Sequence, residues 1–439
     1  MNIRLIANNN PIDPLGIMSL VSNTKADFDI KFIPGEAYDQ DIKSYDIVGF
    51  STITGSHLYH NEIAGQLKKI NPSIKTIMGG PHPTFFPQPA LNLEWIDYIC
   101  IGEGIQAFNK WIHGIPTKNI IGKGQTFTGQ LDPLVNLNLF NPPDRKLIYR
   151  DKIRANNPIK DFMGAFGCPY NCSYCFNHSY AKLYSGQPRL RYIDPDKYIY
   201  EIDECKHAFG MKLISLQEDT PIFNQEWFWA MTSELKKRID IPYHCNVRCD
   251  LVNEPMVKHM KETGCTCVTF AIENGDYEYR KKYLHRTMSD EIIIRCADLF
   301  HKYGIKVRTQ NILGLPGQDL SGDLKTLSLN VKCRPVMAWA SLFQPFPNTD
   351  LSQKAIDLGE WSGSVDSIAQ GYFNHSPLKL KDKEKRERLQ KLFMIACNSR
   401  ILRALLKILL YLPLPEAYSV LYSHYKNKKY KQFYGIKEC

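Results

Sequence analysis

Three cysteines within eight residues constrain this chain more than any other feature of its sequence. Cys168, Cys172 and Cys175 follow the apolar run 162–166, with three residues between the first two and two between the last two. Three thiols this close cannot all pair as disulfides, but together they can bind one metal centre. Thiolates favour zinc or an iron–sulfur cluster. A four-iron cluster takes four ligands, so this loop would leave one iron open to a ligand from outside the protein.

A structural zinc site, with His178 as the fourth ligand, is the alternative to a cluster. The C-x₃-C-x₂-C spacing, Gly167 before the first cysteine and Tyr174 before the third argue against zinc. With these residues the segment resembles the cluster-binding loop of the radical S-adenosylmethionine (radical SAM) superfamily. The resemblance implies that the three cysteines hold a [4Fe-4S] cluster and that SAM chelates its open iron. It also implies that an external electron donor of the flavodoxin or ferredoxin type enables cleavage of SAM to a 5′-deoxyadenosyl radical.

Composition places the chain among globular proteins of a reducing cytoplasm. Its 439 residues are enough for two or three domains. Thirteen scattered cysteines, and a strand-like start without an apolar leader, argue against a disulfide framework. We find no uncharged apolar stretch of about eighteen residues, so we expect no membrane-spanning segment. The net charge of +10 is not concentrated in one tract before the last sixty or so residues.

Residues 1–125 alternate apolar runs with segments of helical periodicity, which predicts a doubly wound parallel sheet. Strands are expected at Ile3–Ala7, Asp29–Ile33, Asp46–Ser51, Lys75–Met78 and Tyr98–Ile101, with helices near Gly16–Ser22 and Asn61–Ile70. Ligands of such sheets bind beyond the carboxyl ends of the strands. The small and polar residues expected there are Asn10, Ser51, Thr52, Thr54, Ser56, Gly79, Gly80, His82, Pro83, Gly102 and Glu103. A flavodoxin-like module without a ligand is the alternative.

Two segments, Gly79-Gly80-Pro81-His82-Pro83-Thr84 and Gly102-Glu103-Gly104, resemble the cobalamin-binding domain that precedes many radical SAM domains. The resemblance covers most of residues 1–125 and implies that the strand-end residues bind cobalamin. Cobalamin domains that coordinate cobalt from below carry D-x-H-x-x-G after the first strand, whereas Asp13-Pro14-Leu15-Gly16 lacks the histidine. We therefore expect no histidine on the lower face of the cofactor. His57, His60 and His82 are the other candidate cobalt ligands, and we expect each of them to be a polar residue in the wall of the cobalamin site instead.

Residues 126–157 are rich in Pro, Asn and Asp, and we expect them to form a linker. A second βα series in residues 158–355 predicts a partial (β/α)₆ barrel of the TIM type, with its active site at the carboxyl ends of the strands. Its strands are expected at Asp161–Phe166, Lys212–Gln217, Tyr243–Arg248, Cys267–Glu273, Lys306–Leu313 and Ala338–Phe343. Helices are expected between them at Glu226–Arg238, Glu254–Thr263 and Asp290–Tyr303.

Polar residues end four of these strands, namely Glu218, Arg248, Glu273 and Gln310. A guanidinium can bind the SAM carboxylate through two hydrogen bonds, and a carboxylate suits the SAM ammonium or ribose hydroxyls. Segments 246–250, 264–275 and 304–317 also resemble the third, fourth and fifth strand motifs of the radical SAM family. That resemblance implies that Arg248 and Glu273 contact SAM, with backbone near Phe176 and Leu315 beside the adenine.

Four other cysteines, Cys245, Cys249, Cys265 and Cys267, raise the alternative of a second cluster. The first pair brackets the end of one predicted strand, and the second pair begins the next strand at the opposite end of the barrel. Four ligands placed in this way could not converge on one cluster. We expect buried free thiols instead.

Residues 356–439 are expected to form a helical region, beyond the reach of the family resemblance. A charge run at 379–388 leads into Leu389–Leu412, which is apolar and basic at helical spacing, and Tyr alternates with Lys in Tyr418–Tyr434. A helical cap over the barrel is the simplest interpretation. A peripheral membrane helix, which would suit a lipid-linked substrate, is the alternative. Nucleic-acid binding is not expected, because we recognise no sequence motif of an RNA-binding module.

The resemblance implies a radical SAM enzyme that uses cobalamin to methylate an unactivated carbon or phosphorus of a small-molecule or lipid-like substrate. SAM would then serve once as methyl source and once as oxidant. No residue stands out as a catalytic acid or base. Two alternatives stay open: a cobalamin-assisted radical cyclisation, rearrangement or oxidation without methyl transfer, and a non-catalytic, zinc-stabilised ligand-binding module. We expect an α/β fold with a Rossmann-like domain, a partial barrel and a helical C-terminal region.

Overall fold

The computed structural model describes residues 1–33, 40–346, 348–369, 371, 373 and 375–436. Six strands form the first sheet: β1 (Asn2–Asn8), β2 (Asp27–Ile33), β3 (Ile47–Ser51), β4 (Lys75–Gly79), β5 (Tyr98–Cys100) and β6 (Ile120–Gly122). The connections hold a 3₁₀ turn at Gln40–Ser44 and helices α1 (Leu15–Ser22), α2 (His57–Ile70), α3 (Pro81–Phe85), α4 (Pro87–Leu91) and α5 (Gly104–Ile112).

This first sheet has the order β2-β1-β3-β4-β5-β6, and β6 is the antiparallel edge strand. Alternate residues of β1 serve opposite faces: Leu5 packs in the core that contains Met18 of α1, and Ile6 in the core that contains Ile63 of α2. Because helices cover both faces, the inner strands are continuous apolar runs. The doubly wound sheet is confirmed, while the antiparallel edge was not predicted.

The second part of the chain builds the barrel. Its strands are β7 (Ile159–Phe162), β8 (Ala165–Phe166), β9 (Arg191–Tyr192), β10 (Leu213–Leu216), β11 (Tyr243–Val247), β12 (Cys265–Glu273), β13 (Lys306–Leu313) and β14 (Met337–Leu342). Its helices are α6 (Lys152–Ala155), α7 (Phe176–Leu183), α8 (Pro195–Phe209), α9 (Gln225–Glu234), α10 (Glu254–Glu262), α11 (Tyr277–Tyr283), α12 (Asp290–Lys302), α13 (Leu320–Cys333) and α14 (Asp350–Asp357).

The barrel sheet runs β7-β10-β11-β12-β13-β14 with every neighbouring pair parallel. The partial barrel is therefore confirmed. A π turn at Leu235–Ile239 continues α9, and 3₁₀ turns lie at Leu137–Leu139, Ile148–Arg150, Pro221–Phe223, Cys249–Leu251 and Val365–Ser367. The first two of these turns, together with α6, give residues 126–157 more structure than a plain linker.

The first barrel strand is shorter than the predicted Asp161–Phe166. The chain leaves the sheet after Phe162 and passes Gly164, where a β-carbon would lie 2.5 Å from the ring of Tyr198. The next residues, Ala165 and Phe166, pair instead with β9 in a separate antiparallel ribbon. This ribbon delivers the cysteine loop, which begins directly after it.

The C-terminal region contains α15 (Lys383–Asn398), α16 (Arg400–Leu409) and α17 (Pro415–Tyr434). The helical spacing predicted at Leu389–Leu412 is divided between α15 and α16, because the chain breaks at Ser399, whose Oγ accepts a hydrogen bond from the Leu402 amide. Helix α15 packs on the barrel with Leu389, Leu392 and Phe393 in a core shared with β13 and β14. Within the described part of the chain, no helix has the length and apolar character needed to cross a bilayer.

A buried polar network joins the first sheet, the 126–157 segment and the barrel. Arg145 donates hydrogen bonds to Asp13 Oδ2 at 3.4 Å and to Glu201 Oε1 at 3.1 Å. Tyr149 donates to the same Asp13 oxygen at 2.6 Å, and the Asp13 amide donates to Asp161 Oδ2 at 3.0 Å. All five residues are buried. Buried charges are stable only when they are paired, so this network fixes how the two domains meet.

A second buried ion pair attaches the C-terminal region to the barrel, and we expect its loss to destabilise the fold strongly. Arg386 of α15 donates to Asp323 Oδ2 at 2.6 Å and Oδ1 at 3.2 Å, and both side chains are 0% exposed. Replacing Asp323 with alanine leaves a buried guanidinium uncompensated, which costs about 3–5 kcal/mol of unfolding free energy. Urea unfolding followed by circular dichroism measures this cost.

The matched control is Asp298→Ala, which removes the partner of Arg334 from a pair whose side chains are about half exposed or more. Exposed pairs contribute at most about 1 kcal/mol. Equal losses of stability in the two variants would contradict the assigned role of the Arg386–Asp323 pair.

Candidate active site

The cysteine loop lies between the β8–β9 ribbon and the start of α7. Gly167, just before the first cysteine, has φ +90°, and a β-carbon there would lie 1.8 Å from the Arg189 carbonyl oxygen. Only glycine fits this turn. Cys172 is buried, whereas Cys168 and Cys175 are half-buried. The loop therefore carries three thiols in eight residues, one of them buried and two nearer the surface.

Two guanidinium groups approach the central cysteine of the loop. Arg248 Nη1 and Arg286 Nη1 each lie 3.9 Å from Cys172 Sγ, and Thr220 Oγ1 lies 3.6 Å from Cys168 Sγ. Burial raises the pKa of Cys168 and raises that of Cys175 to about 12, so these thiols need a cationic partner to ionise at neutral pH. Three soft donors with charged groups behind them fit an iron–sulfur cluster.

The zinc alternative requires His178 to turn toward the cysteines. Its Nδ1 instead lies 3.1 Å from Asn171 Oδ1, and its Nε2 lies 3.7 Å from Asp350. Across the described residues, no group of three or more His, Cys, Asp or Glu side chains is placed to hold a single metal ion. Sulfur atoms that bind different irons of one cluster stand farther apart than ligands of one ion, so a cluster does not require that arrangement.

A hydrogen-bonded group lies beside the loop at the end of β12. The Tyr174 hydroxyl donates to Glu273 Oε1 at 2.7 Å, and Arg286 Nη1 lies 3.4 Å from the same hydroxyl. Arg286 also donates to the Ala271 carbonyl at 2.6 Å. Glu273 has φ +65°, at a shift in the β12–β13 register, which turns its side chain out of the regular strand pattern. The fourth-strand carboxylate is thus held next to the cysteine loop.

Glu218, at the end of β10, offers an acceptor atom that the protein leaves unused. Its Oε1 accepts from the Gly164 amide at 2.7 Å and from the Tyr198 hydroxyl at 2.8 Å. Its Oε2 is buried and has no hydrogen-bond partner among the described residues. Burial raises the pKa of this carboxyl to about 7. An unsatisfied buried carboxylate oxygen fits a cationic or hydroxyl-bearing ligand.

The other residues predicted to bind SAM lie in different surroundings. Arg248 stacks on the Tyr170 ring at 3.6 Å and pairs with Asp250. Leu315 is fully buried in a cluster that includes Tyr174. Phe176 is about half exposed, and Gln310 is exposed. Glu273 and Arg248 therefore lie near Cys172 or its neighbours, whereas within the described part of the chain no hydrogen bond joins the Gln310 side chain to this group.

A cavity of about 510 Å³ lies between the two domains. The first sheet contributes the backbone of Gly49, Gly79, Gly80, Gly102 and Gly104, along with Ser51 and Glu103. The barrel contributes Met163, Phe166 and Tyr180, which lie close in sequence to the cysteine loop. Bare backbone at the carboxyl ends of strands gives a large flat ligand close access, so the cavity fits part of a corrinoid.

Five of the residues predicted for cobalamin line this cavity: Ser51, Gly79, Gly80, Gly102 and Glu103. Others take part in hydrogen bonds near it: Thr52 with His60 Nδ1 at 2.7 Å, Thr54 with His82 Nδ1 at 3.3 Å, and Ser56 with Asn8 at 3.2 Å. Asn10 accepts from Arg154 through its carbonyl oxygen, and Pro83 is buried in α3. The structure thus brings five of the eleven predicted residues together as cavity walls.

The three histidines of the first domain lie near one another. The rings of His57 and His82 stack with centroids 4.1 Å apart, and His57 Nε2 lies 3.0 Å from Asp366 of the C-terminal region. Burial lowers the pKa of His60 to about 4 and that of His82 to about 3, so both rings are neutral at pH 7. Among the described residues that line the cavity, no histidine occurs.

Sequence reasoning missed several residues that the site depends on. Arg286 lies between α11 and α12, away from any strand end, and Tyr198 lies within α8. The cavity wall also includes residues of the predicted linker: Val135, Leu137, Phe140, Asn141, Pro142 and Pro143. The many prolines and asparagines in this segment do predict a loop. They do not predict which surface the loop covers. The cysteines 245, 249, 265 and 267 are all buried.

Both halves of the chain match known families. Residues 10–111 match the B12 binding domain, and residues 164–328 match the Radical SAM superfamily. These matches fall on the first sheet and on the barrel with its cysteine loop. The chain belongs to the radical SAM superfamily, in the class that carries a B12 binding domain ahead of the barrel. It is a radical SAM enzyme, and the cofactors predicted for it, a [4Fe-4S] cluster, SAM and cobalamin, are confirmed.

Curated relatives cover much of the chain at low identity. An uncharacterized methyltransferase of Pyrococcus horikoshii is 27% identical over 376 residues, which is 80% of this chain and 80% of the relative. The anaerobic magnesium-protoporphyrin IX monomethyl ester cyclase of Rubrivivax gelatinosus is 27% identical over 335 residues. That match spans 71% of this chain and 59% of the cyclase.

A solved structure shares the architecture. The radical SAM methyltransferase TsrM from Kitasatospora setae, with cobalamin and a [4Fe-4S] cluster bound, superposes with a TM-score of 0.65 at 14% identity. The superposition covers 81% of this chain and 78% of TsrM. At this identity the likeness shows the shared fold.

Proposed function

We propose that this enzyme methylates an unactivated carbon or phosphorus centre of a small-molecule or lipid-like substrate. The observation that carries the proposal is the shared cavity, whose walls come from the corrinoid-binding strand ends and from residues on both sides of the cysteine loop. Such a cavity supports one pocket in which both cofactors face the substrate. When bound, the cluster with SAM supplies a carbon-centred radical, and cobalamin supplies a transferable methyl group.

The residues around the cysteine loop are proposed to bind and orient SAM. Arg248 is assigned to the SAM carboxylate, because its guanidinium already lies beside Cys172 and can form two parallel hydrogen bonds. Glu218 is assigned to the SAM ammonium through its unused Oε2. Tyr174 and Arg286 hold Glu273 in place. The apolar wall formed by Met163 and Phe166 excludes water from the reacting atoms.

The proposed role of Glu218 predicts a pH dependence of SAM binding. The free carboxyl has a pKa raised to about 7 by burial, so it is largely protonated below that pH. A protonated Glu218 must lose its proton to pair with the ammonium, so affinity should rise about tenfold per pH unit up to pH 7 and then level off. Equilibrium dialysis with radiolabelled SAM measures this. Glu218→Gln should bind SAM more weakly and without the slope; an unchanged slope in this variant would remove Glu218 from the site.

Two partners besides the substrate complete the proposal. The first is an external electron donor of the flavodoxin or ferredoxin type. Its access is supported by the cysteine loop, where Asn171 and Phe176 are exposed and Arg189 donates a hydrogen bond to Asn171 at 2.8 Å. Arg189, and Lys182 exposed on α7, are cations that suit an acidic donor. The second is a membrane surface contacted by the C-terminal region, which would bring a lipid-like substrate to the enzyme.

Cobalamin-assisted cyclisation without methyl transfer is the second candidate function. The cyclase of Rubrivivax gelatinosus matches 71% of this chain with the same 27% identity as the methyltransferase of Pyrococcus horikoshii. A cyclisation needs SAM only as oxidant. The two reactions therefore differ in what becomes of the SAM methyl group.

The experiment that separates them uses SAM with a deuterated methyl group. Anaerobically purified enzyme, loaded with iron and cobalamin, is incubated with reductant and with water-soluble and lipid extracts. Methyl transfer yields 5′-deoxyadenosine and S-adenosylhomocysteine in equal amounts and deuterium in a product. Cyclisation yields 5′-deoxyadenosine alone and an unlabelled product. Mass spectrometry detects the nucleoside products and the deuterium label. If no extract led to 5′-deoxyadenosine, the result would count against both reactions.

A further inference from the structure

The hairpin formed by α16 and the start of α17 exposes an unusual amount of apolar surface. The described part of the chain exposes 22 large apolar side chains, and eight of them lie within residues 401–421, with 39–76% of their surface accessible. They are Ile401, Leu405, Ile408, Tyr411, Leu412, Leu414, Val420 and Leu421. Single exposed apolar residues are ordinary, but a contiguous set marks an interaction surface.

The exposed residues of α16 lie on one face of the helix. Ile401, Leu405 and Ile408 follow one another at helical spacing and are exposed, while Leu406 is buried against α15 and Leu402 is partly buried. The helix is therefore apolar on two faces. One face is used by the core of the protein, and the other has no protein to cover it among the described residues.

Hydrogen bonds and a cation–π contact hold the hairpin in a fixed position on the rest of the protein. The Tyr418 hydroxyl donates to the Leu409 carbonyl at 2.8 Å, and Arg388 donates to the Leu410 carbonyl at 2.8 Å. Lys385 lies 4.1 Å from the centre of the Tyr411 ring. These contacts present the apolar face outward in a fixed orientation.

The net charge of the C-terminal region indicates which kind of partner binds the exposed apolar face of α16. Residues 383–436 contain twelve Lys and Arg against three Glu, a surplus of nine in a chain whose total surplus is ten. Arg400 and Lys407 are exposed on α16 itself. A second copy of the chain would bring like charges together, which disfavours self-association. An anionic lipid surface accepts both the apolar side chains and the basic residues that border them.

We propose that the α16–α17 hairpin is a membrane-binding element that inserts Ile401, Leu405 and Ile408 into the interface of an anionic bilayer. Arg400 and Lys407 then lie at the level of the lipid phosphates. This inference rests on the membrane contact put forward under the proposed function, for which it names the element and the residues, and it does not depend on methyl transfer. Its test reads lipid binding alone, so either proposal can fail without the other.

The test is co-sedimentation of the cofactor-loaded full chain with vesicles of phosphatidylcholine, and of phosphatidylcholine mixed with phosphatidylglycerol. We expect binding to the anionic vesicles only, weakened by salt. The double variant Ile401→Ser/Ile408→Ser should bind about a hundredfold more weakly, because each isoleucine loses its apolar burial. Arg400→Gln and Lys407→Gln should each weaken binding about fivefold.

The matched control is Leu139→Ser/Ile153→Ser, which removes two apolar side chains that are 80% and 85% exposed outside the C-terminal region. This variant should bind like the unmodified chain. Hydrogen exchange of the unmodified chain, with and without vesicles, locates the contact independently of any variant, and we expect slowed exchange within residues 400–421.

Several results would overturn the proposal: no binding to anionic vesicles, full binding by Ile401→Ser/Ile408→Ser, or protection of another segment. A dimer in solution that this variant converts to a monomer, with no lipid binding, would identify the hairpin as an interface between copies.

Discussion

Replacing Cys172 with alanine is expected to remove the iron–sulfur cluster and with it all cleavage of SAM. Cys172 is the buried member of the three cysteines, and two guanidiniums lie 3.9 Å from its sulfur. Iron content should fall from about four atoms per chain to near zero. Reductive SAM cleavage should fall by more than the roughly 10–100-fold that loss of an outer-shell group costs at a metal site, since a direct ligand is gone.

The control is Cys333→Ala, which removes another buried thiol, from α13. It should keep its iron and its activity. Iron analysis and the visible spectrum of anaerobically purified protein measure both variants. Zinc bound to the unmodified chain in place of iron, or a Cys172→Ala variant that keeps a full complement of iron, would contradict the assignment.

Replacing Gly104 with phenylalanine is expected to exclude cobalamin while leaving the cluster intact. A β-carbon at Gly104 would lie 3.4 Å from Cys100 Sγ and 4.0 Å from Leu20 Cδ1, and all three residues line the cavity. A phenyl ring there occupies space that we assign to the corrinoid. Overpacking of this kind costs about 1–3 kcal/mol, which weakens cobalamin binding about tenfold to a hundredfold.

Gly104→Ala is the matched control, because its β-carbon meets only ordinary van der Waals contacts. It should retain cobalamin. Cobalt and iron analysis of the two variants distinguishes the outcomes. If Gly104→Phe lost iron and cobalt together, the substitution would be disrupting the fold; if it kept full cobalt, the corrinoid would lie elsewhere.

Most of the fold could be predicted from the sequence because it consists of βα units with local signals. Strands such as β3 and β10 are apolar runs whose residues face two covered sides, and turns with glycine or proline separate them. The division between α15 and α16 could not be predicted in this way. The apolar spacing continues through Ser399, and only the hydrogen bond from the Leu402 amide to its Oγ shows that a new helix begins.

The site could be predicted only where its residues are local in sequence. The three cysteines share one loop, so their spacing alone identifies them. Arg286 reaches Cys172 from a position 114 residues away, between two helices, and no periodicity marks it. The cavity depends on how the 126–157 segment folds across the first sheet, and that is a matter of tertiary packing. Polar strand ends predict the region of a site but not which side chains converge.

The buried network of Asp13, Arg145, Tyr149, Asp161 and Glu201 has a consequence for anyone who wishes to recombine these domains. The buried charges of this network come from both domains and from the connecting segment. A chimera that takes one domain from a relative would therefore leave some of these charges buried without a partner. Domain exchange should therefore succeed only when the donor segment brings its own counterparts of all five residues. Because Arg145 and Tyr149 lie in the segment 126–157, that segment has to be exchanged together with the domain whose buried charges it pairs.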